Sequence, residues 1–593
     1  MSIDLQFHKW IVLLVLAGLV ILLIKGKYTP SYLFIGAAGI LVVLKILPMT
    51  VLVGGLANTQ ILTVFLVIMV SAIVQKNFNP YQLFDYFLGK AKTPKTFLVR
   101  MNAIVAGLSS VFNNTPIVVM MMPYVYEKAK EYKISPSKLL MPLSFSAILG
   151  GMITLIGTST NLVLNGLLES NNVKLLSFMD FFIPGILVTV VGIIYLYFFG
   201  YHRLENKSLM MDEIGHGVRS YFIETKLTPS SQYIGQSIHQ LGIRDRKGVN
   251  PIEIIRGEEV INVVLSTAVR LEANDRIIFS GSIDDILELL EENTDLVIAK
   301  NPRFQLNDSL KLLEVSIPAN SPLEDVKVKD ANFRKTYNST IIAVHRNGEM
   351  LSGRLGEIEL KRGDVLLITT SELISIAQLK KDFYILSHTN YEEIKSNEYA
   401  KYFLALTLGF LGMAFGQIIS LFTALLLTVF LAVILKLITP RLLRQTVDLH
   451  LLSIMVTALA LGDLFIRSGA SKLITQNMML LLEPTGTLGV LIGIMLLTVF
   501  LTSFITNVAA VSVAFPLAYS VSEQLGVDGE VFYLGIAFAA SAAFITPIGY
   551  QTNMIVSGPG GYTTKDFLKV GSPMLLLYFT TVIVYLTIRY QII

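Results

Sequence analysis

The chain contains no cysteine, so disulfides, thiolate metal sites and a cysteine nucleophile are excluded. Charge is scarce as well. Only 15% of the 593 residues are Asp, Glu, Lys or Arg, against about 25% in soluble domains, which rules out a single soluble domain. A net charge of +4 is small for this length and argues against a nucleic-acid binder. No His-Glu-x-x-His, Gly-x-Ser-x-Gly or P-loop string is present, which leaves a membrane enzyme without a chemical centre. No small-residue cleavage site follows the apolar run from Trp10 to Ile24, so that run reads as a membrane span and not as a signal peptide.

The chain does have long apolar stretches, and they are unevenly placed. Of the 43 acidic residues, 30 lie between residues 204 and 398, so two apolar blocks flank one ordinary charged insert. A membrane helix needs about 20 apolar residues. The first block offers spans near 10–24, 31–47, 56–75, 139–167 and 178–200, and the second near 401–418, 420–437, 449–467, 531–557 and 571–590. Two further stretches, 97–123 and 487–516, carry polar residues and proline at their centres and read as re-entrant helical hairpins.

The sequence therefore predicts an α-helical polytopic membrane protein, with five spans and one hairpin per block. An odd span count inverts the second block relative to the first. One set of loops holds fifteen Lys and Arg and the other six, so the rich side, which carries the insert, is expected to be cytoplasmic. The N- and C-termini are then expected outside. The expected divisions are a first membrane repeat at 1–203, insert units at 217–295 and 310–388, and an inverted second repeat at 399–593.

The two blocks share landmarks in the same order. Ser109-Ser110-Val111-Phe112-Asn113-Asn114-Thr115, with Pro123 nine residues after Asn114, matches Thr502-Ser503-Phe504-Ile505-Thr506-Asn507-Val508, with Pro516 nine residues after Asn507. Gly157-Thr158-Ser159-Thr160-Asn161 is set against Thr546 to Asn553, with three extra residues in the second half. Asp180 and Gly185 match Asp566 and Gly571. Inverted halves of this kind place a site near the bilayer midplane, where hairpin tips meet interrupted helices. Small polar residues also glue membrane helices together, but four ordered matches favour a site.

The coupling ion is constrained by what the spans lack. Proton-coupled carriers usually need an ionisable residue inside the membrane. None of His8, His202, His216, His239, His345, His388 and His450 is mid-span. Asp180 and Asp566 open their spans and read as caps, and Asp463 is four residues before Arg467, spacing that favours a structural pair. A neutral, oxygen-rich site fits Na⁺ better than H⁺.

These residues resemble the divalent-anion/sodium symporter family over both apolar blocks, and the arrangement with an insert is similar to its sulfate-permease branch. The resemblance implies two Na⁺ sites, a dianion between them, a homodimeric scaffold in the plasma (inner) membrane and elevator-type motion. Carried over, one Na⁺ site would use Ser109, Asn113, Asn114 and Gly157. The other would use Thr502, Ile505, Asn507 and Ile545, with Ile505 and Ile545 giving backbone carbonyls. The anion would contact Asn114, Thr115, Thr158, Asn507 and Thr546. The first tip reads Asn-Asn-Thr where the family has Ser-Asn-Thr, the second reads Thr-Asn-Val, and Gly-Thr-Pro-Pro-Asn has become Gly-Thr-Ser-Thr-Asn. These departures favour a small oxyanion such as sulfate over a dicarboxylate, the main rival.

The insert, 217–388, reads as β-rich with short helices and is itself duplicated. Arg256-Gly257-Glu258 and Leu271-Glu-Ala-Asn274-Asp275 return about ninety residues later as Arg346-Asn347-Gly348-Glu349 and Leu360-Lys-Arg-Gly363-Asp364. Each unit resembles the TrkA-C (RCK-C) regulatory module of potassium channels and potassium-uptake proteins. That resemblance implies dimerisation and binding of small regulators, including cyclic dinucleotides. No Gly-x-Gly-x-x-Gly follows a strand, so no Rossmann nucleotide domain is expected. An ion channel is the competing class, but the string nearest to a potassium filter, Ile545 to Tyr550, has a proline inside it.

Overall fold

In the flanking blocks the computed structural model describes residues 2–25, 28–77, 80–206, 399–439, 442 and 448–592. In the insert it describes 221–237, 249–256, 259–262, 269–281, 295–298, 311–318, 321–331, 333–337, 339–346, 349–351, 355–370, 379 and 382–386. The expected unit edges at 217, 310 and 388, and the Gly257–Glu258 and Asn347–Gly348 turns, lie outside these residues.

Among the described residues the first block holds α1 (Ser2–Lys25), α2 (Pro30–Val43), α3 (Met49–Leu56), α4 (Thr59–Asn77), α5 (Pro80–Leu88), α6 (Pro94–Ser109), α7 (Asn114–Glu131), α8 (Ser137–Gly151), α9 (Ser159–Ser170) and α10 (Phe178–Tyr195), which runs on through a π-helical turn, Leu196–Gly200, to Arg203. After the insert, which holds α11 (Phe333–Tyr337), come α12 (Ala400–Phe415), α13 (Leu421–Ile434), α14 (Leu449–Arg467), α15 (Ala470–Leu482), α16 (Gly486–Thr502), α17 (Asn507–Leu525), α18 (Glu530–Ser541), α19 (Gln551–Ser557) and α20 (Thr564–Tyr590). Runs this apolar form helices because only then are the backbone groups satisfied within the segment. Their starts carry the expected caps. Thr93, Ser420 and Asp448 accept from the backbone N–H three residues on. Ser177 with Asp180, and Thr563 with Asp566, form matching capping boxes at the starts of α10 and α20.

Among the described residues, six helices are long and apolar enough to cross a membrane: His8–Lys25, Met49–Asn77, Phe178–Arg203, Leu449–Arg467, Asn507–Leu525 and Thr564–Tyr590. Five shorter apolar helices accompany them. Asn507–Leu525 qualifies by length, although the sequence reads it as one arm of a hairpin; helix length alone takes no account of the tight tip at its start.

The two blocks interlock. The second block's α14 packs on α2 of the first, and α13 packs on α4. Helix α17 packs on α9, α19 packs on α7, and α10 lies along α20. Ser31 Oγ and His450 Nδ1, 2.7 Å apart, join α2 to α14. Asp463 accepts from Arg467 Nε at 2.7 Å within α14, the structural pair their spacing predicts.

The insert contains two five-stranded antiparallel sheets. The first uses β1 (Tyr221–Leu227), β2 (Val249–Arg256), β3 (Glu259–Asn262), β4 (Arg276–Gly281) and β5 (Leu296–Ile298), in the order β3-β2-β4-β1-β5. The second uses β6 (Lys311–Ser316), β7 (Ser339–Arg346), β8 (Glu349–Met350), β9 (Val365–Thr370) and β10 (Tyr384–Ile385), in the order β10-β6-β9-β7-β8. Read from the other edge, the second order is the first shifted by five strands. The bulges match as well, falling at Pro251/Glu253 and at Ile341/Ala343.

The two sequence signals of each unit are bonded to each other. Arg256 donates to both oxygens of Asp275 at 2.9 and 2.8 Å, and Arg346 donates to both oxygens of Asp364 at 2.8 Å. Both carboxylates are buried. Asp364→Ala removes the buried partner of the part-exposed Arg346 and is expected to destabilise the second sheet by about 1–3 kcal/mol. Hydrogen exchange on the full chain should then show lost protection over Ser339–Arg346 and Val365–Thr370.

The second unit also touches the membrane helices. Its turn at Gly363, with φ +81°, lies against the carbonyl of Met554 and the end of α19. A Cβ at Gly558, just past α19, would overlap the Gly363 carbonyl oxygen. Val365 and Leu386 pack into the same apolar cluster as the helices of both blocks.

Candidate functional site

Two hairpin tips and two helix breaks make the site. Helices α6 and α7 are joined by residues 110–113, and α16 and α17 by 503–506. Asn113 caps α7 by accepting from Thr115 N at 3.4 Å, and Thr506 caps α17 by accepting from Ala509 N at 3.4 Å. The breaks separate α8 from α9 at residues 152–158, and α18 from α19 at 542–550.

Each tip is tied to the break of its own half by the same bonds. Thr154 donates to the Ser110 carbonyl and accepts from Gly157 N at 3.1 Å. Thr546 donates to the Ser503 carbonyl at 2.8 Å and accepts from Gly549 N at 3.1 Å. Asn161 Nδ2 donates to Thr154 O at 3.1 Å, and Asn553 Nδ2 to Thr546 O at 3.2 Å. A Cβ on Gly157 would lie 2.6 Å from Ser109 O, and one on Gly549 would lie 2.8 Å from Thr502 O. Glycine is required at both positions because the tip backbone passes so close.

These bonds correct the sequence register. Thr546 is the counterpart of Thr154, not of Thr158, and the segments Thr154–Asn161 and Thr546–Asn553 have equal length with no extra residues. Tyr550 and Gln551 therefore stand where the first half has Thr158 and Ser159. The Thr546 hydroxyl is committed to the tip and to Gly549, so it is not free to receive a solute.

Around the first tip, three buried oxygens have no hydrogen-bond partner: Ser109 Oγ, Asn114 Oδ1 and Asn161 Oδ1. Unpaired buried oxygens are costly, and a hard cation takes oxygen ligands of this kind. Around the second tip, the side-chain oxygen of Asn507 faces other oxygens. It is 2.8 Å from Thr502 Oγ1, and Ala540 O and Gly549 O lie about it at 3.2 Å. Turned about, the amide presents its two N–H donors to these three oxygens. Thr502 Oγ1 also donates to Ala540 O at 2.5 Å. No carboxylate is among the groups at either tip.

The structure brings Ser109, Asn113, Asn114 and Gly157 together at the first tip, and Thr502 and Asn507 at the second. Ile505 and Ile545 belong to the second tip and break, but the carbonyls gathered round Asn507 are those of Ala540 and Gly549. Sequence reasoning missed Thr154, Asn161, Asn553, Ala540, Gly549, Tyr550 and Gln551. The shared string Ile-Thr-x-Ile-Gly-x-x-Thr-Asn, at 153–161 and 545–553, was the available signal.

The halves also meet side chain to side chain. Asn114 Nδ2 donates to the Tyr550 hydroxyl at 2.6 Å, and Thr115 Oγ1 donates to Gln551 Oε1 at 3.0 Å. Thr158 interacts with the same phenol. Ser144, on α8, hydrogen bonds to Thr552 Oγ1 at 2.8 Å and Asn553 Oδ1 at 2.7 Å. Among the described residues no group of three or more His, Asp or Glu could hold a metal ion.

The profile of the citrate transporter family matches residues 12–532 and 485–592. The chain belongs to the citrate transporter family. It is a multi-pass membrane transporter and not an enzyme. An uncharacterised transporter of Synechocystis is 30% identical over 81% of this chain and 80% of its own length. A Chlamydomonas reinhardtii protein, provisionally named a sulfur deprivation response regulator, is 27% identical over 93% of this chain and 97% of its own. Sodium/sulfate cotransporter 1 of Chlamydomonas reinhardtii is 26% identical over 54% of this chain and 38% of its own.

Proposed function

We propose that the protein is a secondary active transporter that takes up a divalent inorganic anion, sulfate or a close analogue, together with Na⁺. The observation that carries this reading is the pair of polar tips, with Ser109, Asn114 and Asn161 unpartnered at one and the Asn507 amide set among Thr502 Oγ1, Ala540 O and Gly549 O at the other. Sodium would be held by Ser109, Asn113, Asn114 and Gly157, with Asn161 added, and by Thr502, Asn507 and the carbonyls of Ala540 and Gly549. The dianion would lie between the tips, reached by Asn114, Thr115, Thr158 and Asn507 and by the N-terminus of α17, whose first-turn N–H groups favour negative charge. Bound cations offset part of the cost of burying a dianion. The names of two relatives, one a sodium/sulfate cotransporter and one tied to sulfur deprivation, support this choice.

The matched tips, breaks and capping boxes, with the reciprocal packing of α2 on α14 and α13 on α4, support inverted repeats. An elevator motion of the hairpins against the remaining helices, in a homodimer embedded in lipid, is what the resemblance to the divalent-anion/sodium symporters implies. The insert would be cytoplasmic and regulatory, two TrkA-C-like units sensing a small nucleotide or another regulator. A dicarboxylate or citrate substrate is the second reading, favoured by the family's description.

Purified protein in liposomes decides between them. Labelled sulfate should accumulate with an inward Na⁺ gradient and not without it, and succinate should not compete. Because no carboxylate or histidine is among the gathered oxygens, sulfate uptake should stay constant from about pH 6 to pH 8, across the ordinary histidine range. Uptake driven by a proton gradient alone would refute sodium coupling.

A further inference from the structure

The two halves treat their solute-facing positions differently. In the first break the positions after Gly157 are Thr158 and Ser159; in the second, after Gly549, they are Tyr550 and Gln551. The larger pair crosses to the opposite half and bonds the first tip: Asn114 donates to Tyr550 and Thr115 donates to Gln551. Of the smaller pair, Thr158 meets that same Tyr550 phenol, and Ser159 makes no crossing among the described hydrogen bonds. The Thr158 hydroxyl donates to its neighbour Thr160 at 3.2 Å, and the second tip has Val508, without a hydroxyl, where the first has Thr115. Polar side chains are thus concentrated on one side of the space between the tips.

Building on the anion-transport reading, we infer that Tyr550, seated against Asn114 and assisted by Gln551, is the residue that fits the site to a compact tetrahedral oxyanion and excludes a four-carbon dicarboxylate. Two physical arguments carry this. Where the other half has threonine, a phenol ring fills space that an extended solute would need. The bond pattern also orients the donors. Asn114 points its Nδ2 at the Tyr550 oxygen, while its Oδ1 stays buried and unpartnered. One amide thus serves a cation on one side and the solute side on the other. Since Asn114 supplies a hydrogen to Tyr550, the phenol's own hydrogen is left to donate to Thr158 or to a solute oxygen.

Two substitutions separate the roles of the ring and the hydroxyl. Tyr550→Phe keeps the ring and removes the donor. Tyr550→Thr restores the residue of the other half and opens space. In proteoliposomes with an inward Na⁺ gradient, the Phe variant should raise the KM for sulfate at least about tenfold, since a site built to hydrogen-bond its solute is sensitive to loss of the donor. Its kcat should change less. The Thr variant should raise succinate uptake relative to sulfate at least about tenfold. Unaltered elution on size exclusion confirms that both variants are folded. Wild-type sulfate uptake with KM and preference unchanged in both variants would overturn the assignment alone. A wild-type protein that moves neither anion would overturn the transport reading, and the assignment with it.

Discussion

Asn114→Ala and Asn507→Ala should each bring Na⁺-driven sulfate uptake down to the level of protein-free liposomes. Asn114 has two polar ends that work in different directions. Its Oδ1 is buried and unpartnered, and its Nδ2 holds Tyr550 at 2.6 Å. Alanine removes a cation ligand and a solute-side donor together. Hydrogen bonds to charged groups are worth about 1.5–3 kcal/mol each, so losing two corresponds to roughly a hundred- to ten-thousand-fold loss of transport. Asn507 gathers Thr502, Ala540 and Gly549 in the same way. The bonds from Thr154 and Thr546 that tie each tip to its break are left in place in both variants, so both should reach the membrane folded. Labelled uptake and size-exclusion elution check the two halves of this expectation. Normal transport by both variants would remove the tips from the account.

The second large effect is expected at Gly558. Its position just beyond α19 leaves no room for a Cβ, because the carbonyl oxygen of Gly363 occupies that space. Gly558→Ala must therefore push the turn Lys361–Asp364 away from the membrane helices. Helix α19 is only seven residues long. The displaced contact and Gln551, which meets the first tip, lie at its two ends. Displacing the turn should change the maximal uptake rate several-fold and make the insert more open to limited proteolysis. The sulfate-to-succinate ratio should stay the same, because no described insert residue lies among the oxygens of the tips. A shifted ratio would contradict the division between a transporting membrane part and a regulating insert.

The tips were legible in the sequence because Asn114 and Asn507 sit in matching polar strings with a proline nine residues on. The capping aspartates and the Asp463–Arg467 pair were legible for a similar reason: their chemistry is local and their spacing short. The breaks were harder. Gly157-Thr158 drew Thr546 into alignment because Gly-Thr is a conspicuous string, yet what holds a break is the hydroxyl that reaches the tip carbonyl. That hydroxyl comes from Thr154 and Thr546, residues whose role depends on Ser110 and Ser503 some forty positions away. The register error also hid Tyr550 and Gln551, which looked like part of an insertion. In the insert, each Arg and each Asp read as a separate turn signal. That Arg256 binds Asp275 and Arg346 binds Asp364 follows only from the strand pairing that sets them side by side.

The absence of cysteine makes the central claim directly testable. Thr115 and Gln551, whose side chains meet at 3.0 Å across the two halves, can each be replaced by cysteine and treated with a short bifunctional thiol reagent. After proteolysis in the insert, the two membrane halves should remain joined, uptake should stop, and sulfate with Na⁺ should slow the coupling. Halves that separate after treatment, or coupling that proceeds at the same rate with and without sulfate and Na⁺, would contradict a shared solute site where the two halves meet.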